Sequence, residues 1–348
     1  MGVSRRSAVE PSVRYRVALA PGWVASAVVV APFLVGVSIP PALQYAPLVV
    51  SAVLLGLPHG AVDHFAVART RGERPDLAAI ARIFALYGVV GGAYAVAWFL
   101  APAAAFVLFI AVTWFHWGQG DLYALRVLAD ADHLRSLPQR IGTVLVRGGL
   151  PMLVPLLAFP DWYRRVATDL VSLFAPDAAA AIGWAFQTNV RTALAITYGA
   201  LVVATLAVGF ARADARRPWL LDAGETLGLL AYFALVPPVL AIGVYFCLWH
   251  SLSHVSRLLL VDDAATTALE NRDPTAALAR FARDAAPLTV ASLALLGGLY
   301  FLVPNPPGTV PEWVALYLVF IAVVTLPHVV VVSIMDREQG VWASSLDG

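Results

Sequence analysis

The sequence predicts an all-α protein: a polytopic membrane helical bundle with about 8–10 transmembrane helices. Of its 348 residues, 60% are hydrophobic and only 13% are charged, whereas about 25% of the residues of an average soluble domain are charged. The mean hydropathy is +0.78. Apolar runs cover nearly the whole chain, so we expect residues 1–348 to form a single integral membrane domain rather than a soluble domain with one anchor.

Ten apolar segments approach the length of about 20 residues that a membrane-spanning helix needs. They lie at about residues 22–39, 42–59, 79–100, 102–118, 141–158, 190–211, 219–236, 239–261, 286–303 and 312–334. Pro237 and Pro238 separate two of these segments. We interpret the pair as two helices, because one helix over 220–261 would be too long for a single crossing. Tails are expected over residues 1–20 and 336–348.

The arginines predict the orientation of the chain. All 23 basic residues are Arg, and with ten spans most of them fall on one side of the membrane, with Arg164 and Arg165 on the other. Because cytoplasmic loops are enriched in basic residues, we expect a multi-pass cell-membrane protein with both termini in the cytoplasm. Residues 262–285 then form a cytoplasmic linker, in which Asp273 and Pro274 predict the start of a short surface helix.

Composition also excludes several classes of function. The formal net charge of +1 argues against nucleic acid as a partner. Cys247 is the only cysteine, which excludes an internal disulfide, a Cys-based zinc site and an iron–sulfur cluster. The sequence has no His-Glu-x-x-His, Gly-x-Ser-x-Gly or Walker-type phosphate-binding motif, so the enzymes that depend on those motifs are excluded too.

The histidines carry the functional signal. The chain has seven, and only His133 lies in a clearly polar loop, so we expect it to be dispensable. Polar side chains at membrane depth are costly, and their presence there indicates function. In the ten-span topology, five histidines reach a similar depth toward the cytoplasmic side: His59, His116, His250, His254 and His328.

Four short motifs contain these histidines, and two of the motifs have features that suit metal binding. His250 and His254 are four residues apart, which puts both imidazoles on one helix face with Cβ atoms about 5–6 Å apart. His59 lies between a proline and a glycine, so its helix is expected to be interrupted, as backbone can be where it lines a cavity. Asp63, four residues later, could accept a hydrogen bond from the far nitrogen of a metal-binding His59. His64 follows it directly.

The other two motifs add two more histidines. His116 has aromatic neighbours that are more typical of packing than of ligand contacts, and Asp121 could orient its imidazole by a hydrogen bond. His328 follows a proline, and we expect it outside the direct ligand set. Together the motifs favour one metal ion held by neutral imidazoles, and the residues alone do not choose among Zn, Cu, Fe and Ni.

The four motifs, in this order and at these spacings, resemble those of the bacteriorhodopsin-related (Brp/Blh) β-carotene 15,15′-dioxygenase family. The matching elements are Pro58-His59-Gly60, Phe115-His116-x-Gly118-x-x-Asp121, His250-x-x-x-His254 and Pro327-His328. The resemblance covers about residues 40–335. It implies a membrane non-haem Fe(2+) enzyme that uses O2 to cleave β-carotene at its central double bond into two retinals.

The same resemblance implies roles and partners. By motif, His59, His116, His250 and His254 would be the iron ligands and the catalytic residues. Candidates for groups around them are Asp63, His64, Asp121 and His328. The implied partners are β-carotene, O2 and the lipid bilayer, with a functional link to a retinal-binding rhodopsin.

Three alternatives remain open at the level of sequence. A di-iron desaturase or hydroxylase is another membrane His-metal oxidoreductase, but such enzymes have more histidines, including adjacent pairs that this chain lacks. A metal or solute transporter would suit broken helices at His59 and His328, although the histidines are expected toward one membrane face rather than at the midplane. An iron site with two histidines and one carboxylate, Asp63 or Asp121, is a variant of the first hypothesis.

Overall fold

The computed structural model describes residues 18–343, and every regular element in that part of the chain is helical. The predicted tails over 1–20 and 336–348 therefore lie partly outside the described residues. The helices are α1 (Ala20–Leu34), α2 (Pro41–Gln44), α3 (Ala46–Ser51), α4 (Asp63–Thr70), α5 (Leu77–Leu100), α6 (Pro102–Leu128), α7 (Leu137–Ala158), α8 (Pro160–Ser172), α9 (Thr188–Arg212), α10 (Arg216–Leu235), α11 (Pro238–Leu260), α12 (Asp263–Glu270), α13 (Pro274–Leu302) and α14 (Val310–Glu338). A 3₁₀ helix, Pro176–Phe186, precedes α9.

The connections between helices gather at two ends of the bundle. At the first, which we term the arginine-rich end, Arg69 of α4 forms ion pairs with Asp262 (3.0 Å) and Asp284 (2.7 Å). At the same end, Arg140 of α7 donates a hydrogen bond to the carbonyl oxygen of Trp342 (2.7 Å). Several loops that carry the predicted cytoplasmic arginines therefore contact one another.

The opposite end is held by different contacts. The backbone N–H of Asn305, between α13 and α14, donates to the carbonyl oxygen of Leu173 after α8 (3.0 Å). Arg191, near the start of α9, donates to the carbonyl oxygen of Leu157 near the end of α7 (3.0 Å). This end contains the few arginines that the sequence placed on the other side of the membrane.

Between these ends the described chain passes ten times. Seven of the passes are helices long and apolar enough to cross a membrane, namely α5, α6, α7, α9, α11, α13 and α14. The other three are α1, with 15 residues, the interrupted stretch 41–62, and α10, which carries buried Asp222 and Glu225. The predicted fold class is confirmed, as is the division of 220–261 into two helices, whereas the number of passes that lie in a membrane stays a prediction.

The region 262–285 differs from the prediction. Asp273 caps α13 as expected, since its side chain accepts a hydrogen bond from the N–H of Ala276 (2.9 Å). The helix does not end near residue 285, however, but continues through Pro287 to Leu302. Proline removes only one backbone donor, and in apolar surroundings the remaining backbone groups still need helical partners. The short helix that does form is α12.

Glycine sets the distance between the two central helices. A Cβ atom on Gly118 of α6 would lie 2.1 Å from the carbonyl oxygen of Val144, and one on Gly148 of α7 would lie 1.8 Å from that of Trp114. Both distances are far below contact distance, so the backbones of α6 and α7 touch only because these positions have no side chain. This contact holds His116 of α6 against the core of the bundle.

Candidate metal centre

Five histidines meet inside the bundle, and all five are buried. The ring centroid of His59 lies 5.5 Å from that of His250, 5.6 Å from that of His254 and 5.0 Å from that of His328. The ring of His116 lies 4.7 Å from His250 and 4.8 Å from His328. The structure therefore brings the four predicted ligands together, with His328 among them. We refer to these five residues as the histidine cluster.

His59 is positioned by a break in the helical backbone. Helix α3 ends at Ser51, and residues 52–62 form turns before α4 begins. The Nδ1–H of His59 donates to the carbonyl oxygen of Gly56. Because a carbonyl oxygen only accepts, Nδ1 carries the proton and Nε2 keeps its lone pair. A Cβ atom on Gly56 would lie 2.7 Å from the ring of Phe246, so the break requires glycine there.

His116 and His250 face each other across the cluster. Their Nε2 atoms are 3.1 Å apart. Two imidazole nitrogens bound to one first-row metal ion at about 2.0–2.1 Å would be separated by roughly 3–3.4 Å, so this distance fits two ligands of a single ion. His250 lies in a π-helical turn of α11, Phe246–Ser251, a distortion that often marks a functional position.

His328 is oriented by a carboxylate. Its Nδ1–H donates to Oδ2 of Asp63 (2.7 Å), and the hydroxyl of Tyr87 donates to the same oxygen (2.6 Å). This pairing leaves the lone pair on Nε2 of His328, which is buried without a hydrogen-bond partner, as is Nε2 of His254. Buried nitrogens without partners are costly, and a bound cation would satisfy both of them.

The donor set fits a metal ion. Two groups of side chains have candidate ligand atoms within 4.8 Å of one another: His59, His116 and His328, and Asp63, His254 and His328. His328 belongs to both groups, although the sequence placed it outside the direct ligand set. Neutral imidazoles suit divalent transition metals, and a carboxylate behind one of them is the usual support for a metal-binding histidine.

The predicted partner of Asp63 is wrong. The sequence paired Asp63 with His59 on the assumption that one helix contains both residues. The helix begins only at Asp63, so the spacing of four residues does not bring the two side chains together. Asp63 instead accepts a hydrogen bond from His328 of α14, which lies 265 residues later in the chain.

Asp121 also has partners other than the predicted ones. Its Oδ1 accepts a hydrogen bond from Nε1 of Trp249 (3.1 Å), and its Oδ2 lies 3.4 Å from Nε of Arg147. It forms no hydrogen bond with His116, because side chains five residues apart on an α-helix diverge. Asp121 instead holds Trp249, the residue directly before His250, by this hydrogen bond.

His133 lies in the interior, contrary to the prediction of a polar loop. Its side chain is 1% exposed, and its Nε2 donates to Oδ2 of Asp222 (3.0 Å). Asp222 lies 3.8 Å from Arg147, which also pairs with Glu225. The loop after α6 therefore packs onto α10 through His133, beside the ion pairs that Arg147 of α7 forms with Asp222 and Glu225. His133 is therefore unsuited to serve as a neutral control in mutagenesis.

An apolar cavity of about 310 Å³ begins at the histidine cluster, within the range of about 300–1,000 Å³ typical of small-molecule sites. His59, His116, His250 and His328 line it. His64 lies outside the cluster but also lines the cavity, with its ring against Phe65 at 3.7 Å between centroids.

The side chains that line the cavity fall into two groups on different helices, which we term the inner arm and the outer arm. The inner arm is lined by Phe106, Phe109, Met152, Pro155 and Tyr163, and the outer arm by Ile83, Phe84, Tyr87, Leu288 and Leu295. Phe109 precedes His116 by seven residues, which is about 10 Å along a helix axis. Tyr87 of the outer arm touches Asp63, on the His328 side of the cluster. The two groups therefore lie on different sides of the cluster.

Sequence reasoning missed several residues of the site. Tyr87 could not be identified from the sequence, because it lies in none of the four motifs and contacts Asp63 only in the folded protein. Ser251, whose Oγ lies 3.3 Å from Nδ1 of His59, is the residue next to His250 and could have been considered. Arg147 had a clear signal, since a charged residue inside a predicted span is rarely without a role.

Comparison with known proteins identifies the family. The profile described as beta-carotene 15,15′-dioxygenase matches residues 50–336, a range that includes all five residues of the histidine cluster. The chain belongs to this family.

Curated members of the β-carotene 15,15′-dioxygenase family match nearly the whole chain. The protein called probable beta-carotene 15,15′-dioxygenase Blh of Halobacterium salinarum is 50% identical over 328 residues, or 94% of each chain. The one called probable beta-carotene 15,15′-dioxygenase Brp of the same organism is 36% identical over 319 residues, or 88% of each chain. No solved structure matches. The resemblance predicted from the four motifs is thereby confirmed.

Proposed function

We propose that this protein is a membrane dioxygenase that cleaves β-carotene at its central 15,15′ double bond with O2, giving two molecules of retinal, and that Fe(2+) is its metal. The observation that carries the proposal is an apolar cavity that passes a buried cluster of five imidazoles. Family membership supports the substrate and the use of O2, and the donor set supports a divalent transition metal.

The two arms of the cavity support cleavage at the centre of the polyene. A long symmetric hydrocarbon that is cut into equal halves must extend to both sides of the reacting atoms. The side chains of the inner arm and those of the outer arm lie on different sides of the histidine cluster, so each group can contact one half of the polyene. Phe109 and Met152 on one side and Ile83 and Leu288 on the other offer apolar contacts and no competing polar group.

The side chains of the site would orient the substrate and exclude water. Fe(2+), when bound, would supply the activation of O2, and both atoms of one O2 molecule balance the two aldehydes without a further reductant. The imidazoles remain neutral ligands, with the proton of His59 held on Nδ1 by Gly56 and that of His328 held on Nδ1 by Asp63. The aromatic ring of Trp117, 5.5 Å from that of His250, limits access of water to the cluster.

We assign His59, His116, His250 and His254 as iron ligands, as the sequence predicted, and we add His328. Its Nε2 is buried and unpaired, and one nitrogen of its ring lies within 4.8 Å of ligand atoms on His59 and His116. The proposal places the enzyme in the cell membrane with both termini in the cytoplasm, and it includes a functional link to a retinal-binding rhodopsin that would use the product.

The decisive experiment is co-expression in a host that produces β-carotene, followed by extraction and chromatographic analysis of retinal. We expect retinal only in cells that contain the protein and O2. The purified protein should carry close to one iron per chain. Iron near two per chain would favour the di-iron alternative, and absence of retinal from an iron-loaded protein supplied with β-carotene and O2 would contradict the proposed function.

A further inference from the structure

The outer arm of the cavity reaches the surface between two helices. Its wall is formed on one side by Ile83, Phe84 and Tyr87 of α5 and on the other by Leu288 and Leu295 of α13. The side chains at its rim are partly outside the bundle, since Phe84 is 50% exposed and Leu295 is 65% exposed. The cavity therefore has an opening on the side of the bundle, away from its two ends.

One face of α13 borders the cavity. Leu288, Ala291, Ser292 and Leu295 all line it, and at about 100° per residue these four positions fall within an arc of about 100°. Val290 lies on the opposite face, about 200° from Leu288, and is 66% exposed. The helix thus has a cavity-facing side and an outward side that can be altered separately.

Below the opening, toward the arginine-rich end, α13 packs closely against α14. There Phe281 and Ala285 of α13 and Val331 and Met335 of α14 belong to one buried apolar cluster, and Ile83 and Leu288 pack at its margin. The same end carries the ion pairs of Arg69. Water at that end is therefore separated from the cavity by a packed layer, whereas the side opening is rimmed by apolar groups.

We propose that the gap between α5 and α13 is a lateral opening through which the apolar substrate passes between the lipid bilayer and the histidine cluster. The proposal rests on the proposed function for the identity of its substrate, a lipid-dissolved polyene. Apolar side chains from both helices form a continuous path from the outer surface to His328, which lines the same cavity. A hydrocarbon moving along this path would never need to enter water.

Accessibility can be measured without catalysis. Cys247 is the only cysteine, so a Cys247→Ala background allows one reporter thiol to be placed in the cavity. Thr113 suits this purpose, because it lines the cavity, is buried, and has a hydroxyl without a hydrogen-bond partner. Thr113→Cys should react in membrane vesicles with an apolar N-alkylmaleimide, and much more slowly with a charged, membrane-impermeant maleimide.

Bulky substitutions at the opening should then slow this reaction. We expect Ala291→Trp and Ser292→Phe to slow labelling of the reporter thiol by the apolar maleimide at least about tenfold, and Val290→Trp to leave the rate unchanged. In the Cys247→Ala background without the reporter thiol, Ala291→Trp should lower retinal formation by a similar factor, while the iron content stays the same.

The possible outcomes separate the two proposals. Equal labelling rates in Ala291→Trp, Ser292→Phe and Val290→Trp would overturn the lateral opening. So would equal reaction of the two maleimides with the Thr113→Cys protein that carries none of these substitutions. If the protein with no substitution at the opening makes no retinal, while Ala291→Trp still blocks labelling of the reporter thiol, the opening stands and the proposed function fails. Far-ultraviolet circular dichroism and monodisperse elution would verify that each variant is folded.

Discussion

Each imidazole of the histidine cluster can be tested as a metal ligand by changing that residue alone. Ligands surround an ion together, so removal of one leaves a site that retains metal weakly but has lost the geometry needed to activate O2. We therefore expect activity to fall further than iron content for each ligand variant. This difference is the experimental signature of a ligand, as opposed to a residue that only packs.

We expect alanine substitution at each of the five positions to abolish retinal formation while the protein still inserts in membranes: His59, His116, His250, His254 and His328. His64→Ala should be intermediate, because His64 lines the cavity without facing the other ligand atoms. Retinal yield and iron per chain should be measured for every variant. Full activity of His328→Ala would return that residue to a supporting role.

Two matched controls come from the same helices. Phe115 and Leu248 lie one and two residues before the proposed ligands His116 and His250, yet their side chains are exposed on the outside of the bundle. Phe115→Ala and Leu248→Ala should retain most of the activity. Loss of activity in these variants would mean that the histidine results report general damage to the helices.

Asp63 should matter through His328. Asp63→Asn keeps the size of the side chain but weakens the hydrogen bond that fixes the imidazole tautomer. Loss of such a supporting group typically lowers metal affinity or activity by about 10–100-fold, and we expect this effect on both retinal formation and iron retention. Tyr87→Phe removes a donor to the same carboxylate and should have a smaller effect. An Asp63→Asn protein with unchanged iron affinity would contradict this role.

At the scale of elements, the contact between α6 and α7 depends on glycine. The Cβ of Gly118→Ala would meet backbone atoms of Val144, which cannot move aside as a side chain could. Overpacking of this kind costs about 1–3 kcal/mol, more than the gain of about 1 kcal/mol that alanine brings to a helix. We expect a lower melting temperature in detergent and reduced activity, because His116 shifts with α6.

Gly199 of α9 provides the control for this prediction. A Cβ atom there would have no neighbour within 4 Å, so Gly199→Ala should leave the melting temperature unchanged or raise it. Equal destabilisation by both substitutions would mean that glycine matters for reasons other than the contact between α6 and α7.

Asp262 links α4, α12 and α13 at the arginine-rich end. Burial alone would raise its pKa, but hydrogen bonds from Arg280 and the N–H of Ala265, with the charge of Arg69, hold the pKa below its ordinary value. Since the folded pKa is the lower one, the resulting stability is present above the unfolded pKa of about 3.9. It is lost as the pH falls through the folded value.

The expected result is a pH-dependent difference in melting temperature between Asp262→Asn and the parent protein. The parent should be more stable at neutral pH, and its advantage should shrink below about pH 4, where the unfolded carboxylate is protonated. Asp263→Asn, at an exposed neighbouring position, should show no such dependence. A constant difference across the range would contradict a role for the charge of Asp262.

The sequence predicted the helices and the clustering of histidines better than it predicted the partners of individual side chains. Apolar length and the prolines at 237–238 located α10 and α11, and spacing within motifs located four histidines of the cluster. The pairs formed by Asp63 with His328 and by His133 with Asp222 join residues 265 and 89 positions apart. Such contacts follow from how helices pack, and no local pattern encodes them. The extension of α13 to Leu302 was missed because its first part carries charged residues and its second part is apolar, so composition placed a boundary near residue 285 that the helix does not have.

At the scale of the whole molecule, the two ends of the bundle differ in charge, and this difference predicts topology. The arginine-rich end gathers the turns around Arg69, Arg140 and Asp262, and Ala18 and Val341 lie there in one apolar cluster. Both limits of the described chain are therefore at the same end. Cytoplasmic loops are enriched in basic residues, so this end should face the cytoplasm.

Reporter fusions can test this orientation at three positions. Fusions after Arg74, Pro176 and Asp273 should read cytoplasmic, external and cytoplasmic, because the first and third follow helices that end at the arginine-rich end and the second lies at the opposite end. Alkaline phosphatase and green fluorescent protein reporters should give complementary signals at each position. An external signal after Asp273 would mean that α10 and α11 do not both cross the membrane. Such a signal would also contradict the ion pairs of Arg69 with Asp262 and Asp284, which place the loops near residues 74 and 273 at one end of the bundle.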